Sequence, residues 1–318
     1  MPKPLSLEAT QTLLNNIQEN PSSDEAIAIL RQVLNSKHFV AVARAAKLVR
    51  KPEIRQLIPE LVASFERFME NAATKDPNCL AKKAIAETLY RLEYGEETLF
   101  LKGIRHVQME SVWGGKVDTA PGLRGVCALG LVRINYPDAM VALADLLADP
   151  ESEARIVAAR AVGYTDSSQG IPLLRLKVQI GDKDPQVMSE CFMGLLKLAP
   201  VSSIDLVASF LDNSDEQICE MAALALGESR LDEAFPILRN WQQRIRNPEL
   251  RQICLLAIAM LRNDEALEFL LSLVVEGRDS EAKDAIIALK IYQQDKTLWE
   301  RILGAVETRG NTSLLDAT

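Results

Sequence analysis

Apolar residues recur along this chain in a nine-residue pattern. In all but its last copy the pattern opens on an apolar position, and in every copy it carries a small residue four places later and closes on an apolar position at the ninth. It reads LRGVCALGL from Leu123, ARIVAARAV from Ala154, VMSECFMGL from Val187, ICEMAALAL from Ile218, LRQICLLAI from Leu250 and EAKDAIIAL from Glu281. Consecutive starts are separated by a near-constant step of roughly 31–33 residues, a register that chance does not keep through six copies. Two weaker copies stand upstream, AVARAAKLV from Ala41 and LAKKAIAET from Leu80. Within each copy the apolar spacing follows the period of a helix.

Proline marks the same phase independently. Pro59, Pro172 and Pro236 stand at one and the same offset from Ala41, Ala154 and Ile218, the starts of their own copies, in the contexts LIPEL, GIPLL and AFPIL. A helix tolerates proline in its first turn, where the missing N–H would be unpaired anyway. Each unit is therefore predicted as helix A, a short turn, and helix B beginning near that proline. Asp149-Pro150, Gly181-Asp182 and Asn213-Ser214-Asp215 are the breaks between units.

Two short helices cannot bury an apolar stripe by themselves, so such units stack and share a core. Small residues in helix A let neighbours approach to roughly 8–10 Å. The predicted fold is all-α: an α-solenoid, or α-α superhelix, of about eight helical-hairpin repeats. Its expected parts are a helical cap at 1–37, the array at 38–308 and a flexible tail at 309–318. No sheet is expected in the middle of the chain.

The segments ARIVAARAVG (154–163) and ICEMAALALG (218–227) resemble the HEAT-repeat consensus. The short period resembles the compact HEAT-like units named after phycobilisome lyases, over roughly residues 38–305. That resemblance implies a scaffold and not an activity, because arrays of this kind include scaffolds, bilin lyases, hydroxylases and DNA glycosylases. Tetratricopeptide and ankyrin signatures are absent from the sequence.

Composition narrows the choice. The chain of 318 residues is 48% hydrophobic and only 5% aromatic, which favours Leu- and Ala-built helices over a β-sandwich. Lys and Arg number 36 against 44 Asp and Glu, a net of −8. The two signs balance through residue 200, and the acidic excess lies in residues 201–300. An acidic chain without a basic block is poorly suited to nucleic acid, so none is expected as a partner and a DNA glycosylase is disfavoured. MPKPLSLEAT lacks the apolar core of a signal peptide, and stretches such as FLLSLVV fall far short of a membrane span. Five cysteines without a CxxC spacing fit a reducing compartment, so a cytoplasmic location is expected, with no membrane.

Candidate chemistry is sparse. Cys127, Cys191 and Cys254 occupy the fifth position of their copies, where Ala45, Ala84, Ala158, Ala222 and Ala285 stand elsewhere. A cysteine interchangeable with alanine is a small buried apolar residue rather than a nucleophile. Cys79 and Cys219, at the starts of A helices, look little more reactive. His38 and His106 are the only histidines and neither lies in a His-Glu pair, so the chain cannot supply the iron ligands of the HEAT-like hydroxylases. No metal, cofactor or catalytic residue is expected. Arg124, Arg155 and Arg251 share the second position of their copies, which in HEAT arrays belongs to a ladder with acids in the inter-repeat turns. Such pairs, largely exposed, would contribute only about 0–1 kcal/mol each.

One stretch departs from the pattern. The step from Leu80 to Leu123 exceeds the downstream period by about eleven residues, so a segment of that length is inserted. A helix is expected from Glu96 to about Gln108 with Leu99, Phe100, Ile104 and Val107 inward. A long inter-repeat loop follows at 108–122, turning at Gly114-Gly115. Insertions of this kind gather on one edge of an array and often build a binding face. Two readings of Trp113 stand: a plug folded back between repeats, the plainer one, or an interface anchor. The candidate rim of a recognition site is His106, Glu110, Trp113, Lys116 and Asp118, with Lys102 and Arg105 on the adjoining inner face. Basic inner-face positions also include Arg175, Arg239 and Arg246, while Asp145 is acidic. In RNWQQRIRN (239–247), Arg239, Gln243 and Arg246 are expected on one helix face beside Trp241.

The leading expectation is a non-enzymatic scaffold that binds a protein or peptide partner through the concave face and the 108–122 loop. The alternative, implied by the family resemblance alone, is a bilin lyase-like or chaperone-like protein acting on phycobiliproteins. A tetrapyrrole-bearing preparation would be coloured and a pure scaffold colourless.

Overall fold

The computed structural model describes residues 7–310; residues 1–6 of the expected cap and 311–318 of the expected tail lie outside them. Among the described residues the chain forms 19 α-helices and one two-stranded sheet. It divides into two compact units with the boundary between Thr165 and Asp166.

The first unit opens with α1 (Leu7–Asn16) and α2 (Asp24–Leu34). Hairpins follow as α3 (Phe39–Arg50) with α4 (Ile58–Met69), α6 (Leu80–Arg91) with α7 (Glu97–Ile104), and α8 (Pro121–Arg133) with α9 (Ala139–Leu147). Between α4 and α6 lies the short α5 (Ala72–Lys75), and α10 (Ser152–Gly163) ends the unit. The A helices α3, α6, α8 and α10 stack in sequence.

The second unit begins with α11 (Gly170–Ile180) and continues as α12 (Pro185–Leu198) with α13 (Pro200–Ala208), and α14 (Glu216–Ser229) with α15 (Ala234–Arg244). It closes with α16 (Pro248–Met260) and α17 (Asp264–Glu276), then α18 (Asp279–Leu289) and α19 (Lys296–Arg309). Here α12, α14, α16 and α18 form the stack. With α10 and α11 taken as consecutive in sequence, A and B helices alternate eight times from α3 to α19, as the period predicts.

Local chemistry sets the starts. Asp184, Asp215 and Asn247 cap α12, α14 and α16 by accepting the amide two residues on, which satisfies N–H groups that the first turn leaves open. Pro59, Pro172 and Pro236 sit in the first turns of α4, α11 and α15. The fifth position of every copy is buried, alanine and cysteine alike. All five thiols are free, and burial pushes Cys79 and Cys191 up to about 12. A thiol in that state is not a nucleophile near neutral pH.

Two expectations about secondary structure fail in the first unit. Helix α7 ends at Ile104 and not at Gln108, and Val107 points outward with 59% exposure. Continuing the helix would have paired the Gln108 amide with the Ile104 carbonyl, but that amide donates to Asp118 Oδ1 instead (3.0 Å). The expected loop is a hairpin, β1 (Met109–Val112) antiparallel to β2 (Gly115–Asp118), with Val112 opposite Gly115. Trp113 and Gly114 make its two-residue turn, and Gly114 takes φ 94°, a region that favours glycine. The sheet is confined to this insertion and leaves the helical array unbroken.

Candidate functional site

The hairpin stands on a second insertion. The step from Ala41 to Leu80 also exceeds the downstream period, by about seven residues, and that spacing was the available signal for a long segment between α4 and α6. Asp76 organises this segment. Its Oδ1 accepts from the Ala81 amide (2.8 Å), and its Oδ2 accepts from the Lys82 amide and Lys82 Nζ (both 2.9 Å). Both side chains of the Asp76–Lys82 pair are fully buried. Asn78 and Cys79 are left-handed at φ 58° and 53°. In that conformation the Asn78 amide reaches Glu110 Oε1 at 2.7 Å.

Gln108 joins the two insertions. It is buried, and its Nε2 donates to the Asp76 carbonyl (2.9 Å) and to Glu110 Oε1 (2.6 Å). Its carbonyl accepts the Thr119 amide at 3.0 Å, closing the base of the hairpin. Glu110 also accepts from Thr119 Oγ1 (2.8 Å). Burial alone would push the Glu110 carboxyl up, but the hydrogen bonds from Gln108, Thr119 and the Asn78 amide outweigh it and hold it below the ordinary range.

The other side of the base is clamped by Arg124. Its Nε and Nη2 form a two-pronged contact with Asp149 (2.8 Å each), while Nη1 bonds Asp118 Oδ2 (2.6 Å) and the His106 carbonyl (2.9 Å). Asp118 Oδ1 accepts the amides of Gln108 and Ala120, both at 3.0 Å. Arg155 continues the ladder by donating to the Asp149 carbonyl. The ladder predicted for the second repeat position is thus present, but it is not exposed: the Arg124 and Asp118 side chains are 3% and 6% accessible. Arg251 departs from the pattern in another way, because its partner Asp284 lies inside α18 and not in a turn.

These contacts sort the candidate rim. Asp118 and Glu110 are anchors of the hairpin, not presented groups. His106 is half-buried with Nε2 3.2 Å from Gln108 Oε1, and burial first of all holds its pKa below the usual histidine value. Lys102 is exposed and bonds both oxygens of Glu66 at 2.7 and 2.8 Å, tying α7 to α4. Lys116 and Trp113 face solvent at the tip. Trp113 has a relative exposure of 104%, which overturns the plug reading. Val107, Met109, Val112 and Val117 are also exposed, giving an apolar projection on a charged, buried foot.

Beside the foot runs a groove of about 440 Å³ between α7 and α9. Leu101, Ile104, Arg105 and Val107 form one wall, Val141 and Asp145 belong to the other, and Arg124 and Asp149 lie at its base.

The remaining candidates belong to the second unit. Arg175 donates Nη1 to the Ser202 carbonyl (3.1 Å), and Arg239 lies over the Phe269 ring at 5.3 Å. Gln243 is exposed, Arg246 lies past the end of α15 rather than on its face, and Trp241 is a core residue. No single helix face carries all three polar residues.

Residues 140–227 and 204–290 match the family model for HEAT repeats. Among curated proteins no match is found. Solved structures similar to this chain include the CpcE–CpcF complex of phycocyanin lyase from Nostoc, at 15% identity and a TM-score of 0.39, covering 72% of this chain and 89% of that one. An engineered protein matches at 15% identity and TM-score 0.39, covering 96% of this chain and 95% of its own. Human deoxyhypusine hydroxylase matches at 14% identity and TM-score 0.28, covering 90% of this chain and 89% of its own. At these scores none bears on what this chain does. Residues 140–290 match HEAT repeats, and helical hairpins of the same alternation continue on both sides of them, so the described residues have an all-α, HEAT-like repeat architecture.

Proposed function

We propose that this chain is a binding scaffold that captures a protein or peptide partner through the 109–118 hairpin and the groove at its foot. One observation carries the reading. Trp113, the largest apolar side chain of the first unit's insertion, stands fully exposed on a hairpin whose base is locked by the Arg124–Asp118–Asp149 network. Leaving a tryptophan in water is unfavourable by itself, and burying its roughly 150–250 Å² against a partner recovers that surface. A rigid foot lowers the ordering cost of that docking.

Tryptophan is also a preferred anchor of interfaces, and the exposed Val112 and Val117, which the strand register places on one face of the hairpin, enlarge the patch. The test is affinity capture from the native host with wild-type chain and with Trp113→Ala, folded to the same extent by circular dichroism. Loss of a specific co-purifying protein in the variant is the expected result. Identical capture by both chains would sink the reading.

A further inference from the structure

The groove between α7 and α9 carries a pattern that specifies its occupant more closely. From Asp138, the residue before α9, along the helix the positions lining it include Val141, Ala142 and Asp145, with the buried Leu146 beside them. Asp138, Val141, Ala142 and Asp145 are spaced by three, one and three residues, so they form one stripe with a carboxylate at each end and apolar groups between. Both carboxylates are exposed, and neither makes a hydrogen bond or ion pair among the described residues: Asp138 does not cap α9 with its side chain. Val141 is 63% exposed, and Val107 faces it from the other wall. Arg105 is the one cation of the lining not already engaged, since Arg124 is taken by Asp118 and Asp149.

We infer that this groove takes an amphipathic helix from another protein, carrying Lys or Arg seven residues apart with aliphatic residues between them. Seven residues along a helix span about 10 Å, so a ligand helix lying along α9 would set one cation at each carboxylate. Its aliphatic side chains, three and four residues after the first cation, would cover Val141 and Val107. This is the groove-binding mode of helical peptides, with anchors at helical spacing and charge setting the register. The inference rests on the scaffold reading and names the chemistry of its partner.

The probe is a pair of fluorescein-labelled, alanine-based 16-residue peptides with the core Lys-x-x-Leu-Leu-x-x-Lys or Glu-x-x-Leu-Leu-x-x-Glu, titrated by fluorescence anisotropy against the full chain at low salt. The Lys peptide is expected to bind at least about tenfold more tightly than the Glu peptide, as two exposed ion pairs and two repulsions would produce. The double variant Asp138→Asn/Asp145→Asn is expected to abolish most of that preference, and added salt to shrink it. Both substituted positions are exposed, so the variant keeps the wild-type circular dichroism. Equal binding of both peptides, no binding of either, or an unchanged preference in the double variant overturns the proposal. So does a concentration-dependent dimer that occupies the groove in sedimentation and disappears in a Val141→Lys variant. Trp113→Ala leaves the peptide preference intact, so loss of partner capture in that variant alone, with no charge dependence, removes the groove proposal and spares the scaffold.

Discussion

Arg124 Nη1 lies 2.6 Å from Asp118 Oδ2, and the two side chains, one from the first turn of α8 and one from the last residue of β2, are almost wholly out of water. An ion pair in such a place holds the hairpin to the array, but it does so conditionally. Each charge is tolerable there because the other is present.

Removing the cation should therefore be costly. Arg124→Met leaves Asp118 and Asp149 facing each other in a closed space. We expect a loss of about 3–5 kcal/mol, as when one partner of a buried pair is deleted. Urea denaturation followed by circular dichroism measures it, and limited proteolysis should show cutting within residues 106–119 before global unfolding. A variant with the wild-type midpoint and a protected hairpin would mean that the network contributes little.

Acid should act on the same foot in two stages. His106 is held below its usual value, chiefly by burial, so the neutral ring is the folded form. Its contribution is intact above about pH 6.5 and fades as the pH falls below that. Asp118 and Glu110 also sit low: burial opposes this, but the hydrogen bonds to each, with Arg124 beside Asp118, prevail. Their contribution is present above about pH 4 and is lost as the pH falls through their folded values. Thermal midpoints at pH 7.5, 5.5 and 3.5 should fall in both intervals, and His106→Asn should flatten only the first. An unchanged first step in that variant would assign it to another group.

The helical pairs were legible because a period records them. A cysteine that alternates with alanine, or a proline at a fixed offset into its repeat, reports burial and phase without any knowledge of contacts. The hairpin was not legible in that way, since each strand is only four residues long and Gly114-Gly115 marks a turn in a loop as well as in a sheet. Gln108 was missed for a different reason. Its partner Asp76 lies 32 residues away in a second insertion, and no periodicity links two segments that both depart from the repeat. Asp138 and Asp145 look like ordinary solvated charges until α7 is set opposite them.

The two tryptophans singled out in the sequence have opposite roles, and their substitutions should separate cleanly. Trp113→Ala removes a side chain in contact with nothing but solvent, so its stability should stay within about 0.5 kcal/mol of wild type. Trp241 is 3% exposed on α15, and Trp241→Ala should cost about 3–5 kcal/mol. Thermal midpoints of the two variants side by side decide this. A strongly destabilised Trp113→Ala would restore the plug.

Two glycines on helices of the second unit offer the sharpest check on how closely the A helices meet. A Cβ on Gly227 would lie 2.4 Å from the Ala257 carbonyl oxygen, backbone that cannot rotate away, so α14 and α16 would have to separate. Gly227→Ala is expected to destabilise by about 1–3 kcal/mol, as overpacking does. On α19, a Cβ on Gly304 would meet no atom within 4 Å, and the same substitution there removes only the excess freedom of glycine in a helix. Gly304→Ala should then stabilise by about 0.5–1 kcal/mol. Urea midpoints of the two variants should move in opposite directions from wild type. A neutral Gly227→Ala would mean that α14 and α16 leave room for a methyl group at this crossing, and the tight-stacking account of the array would fail with it.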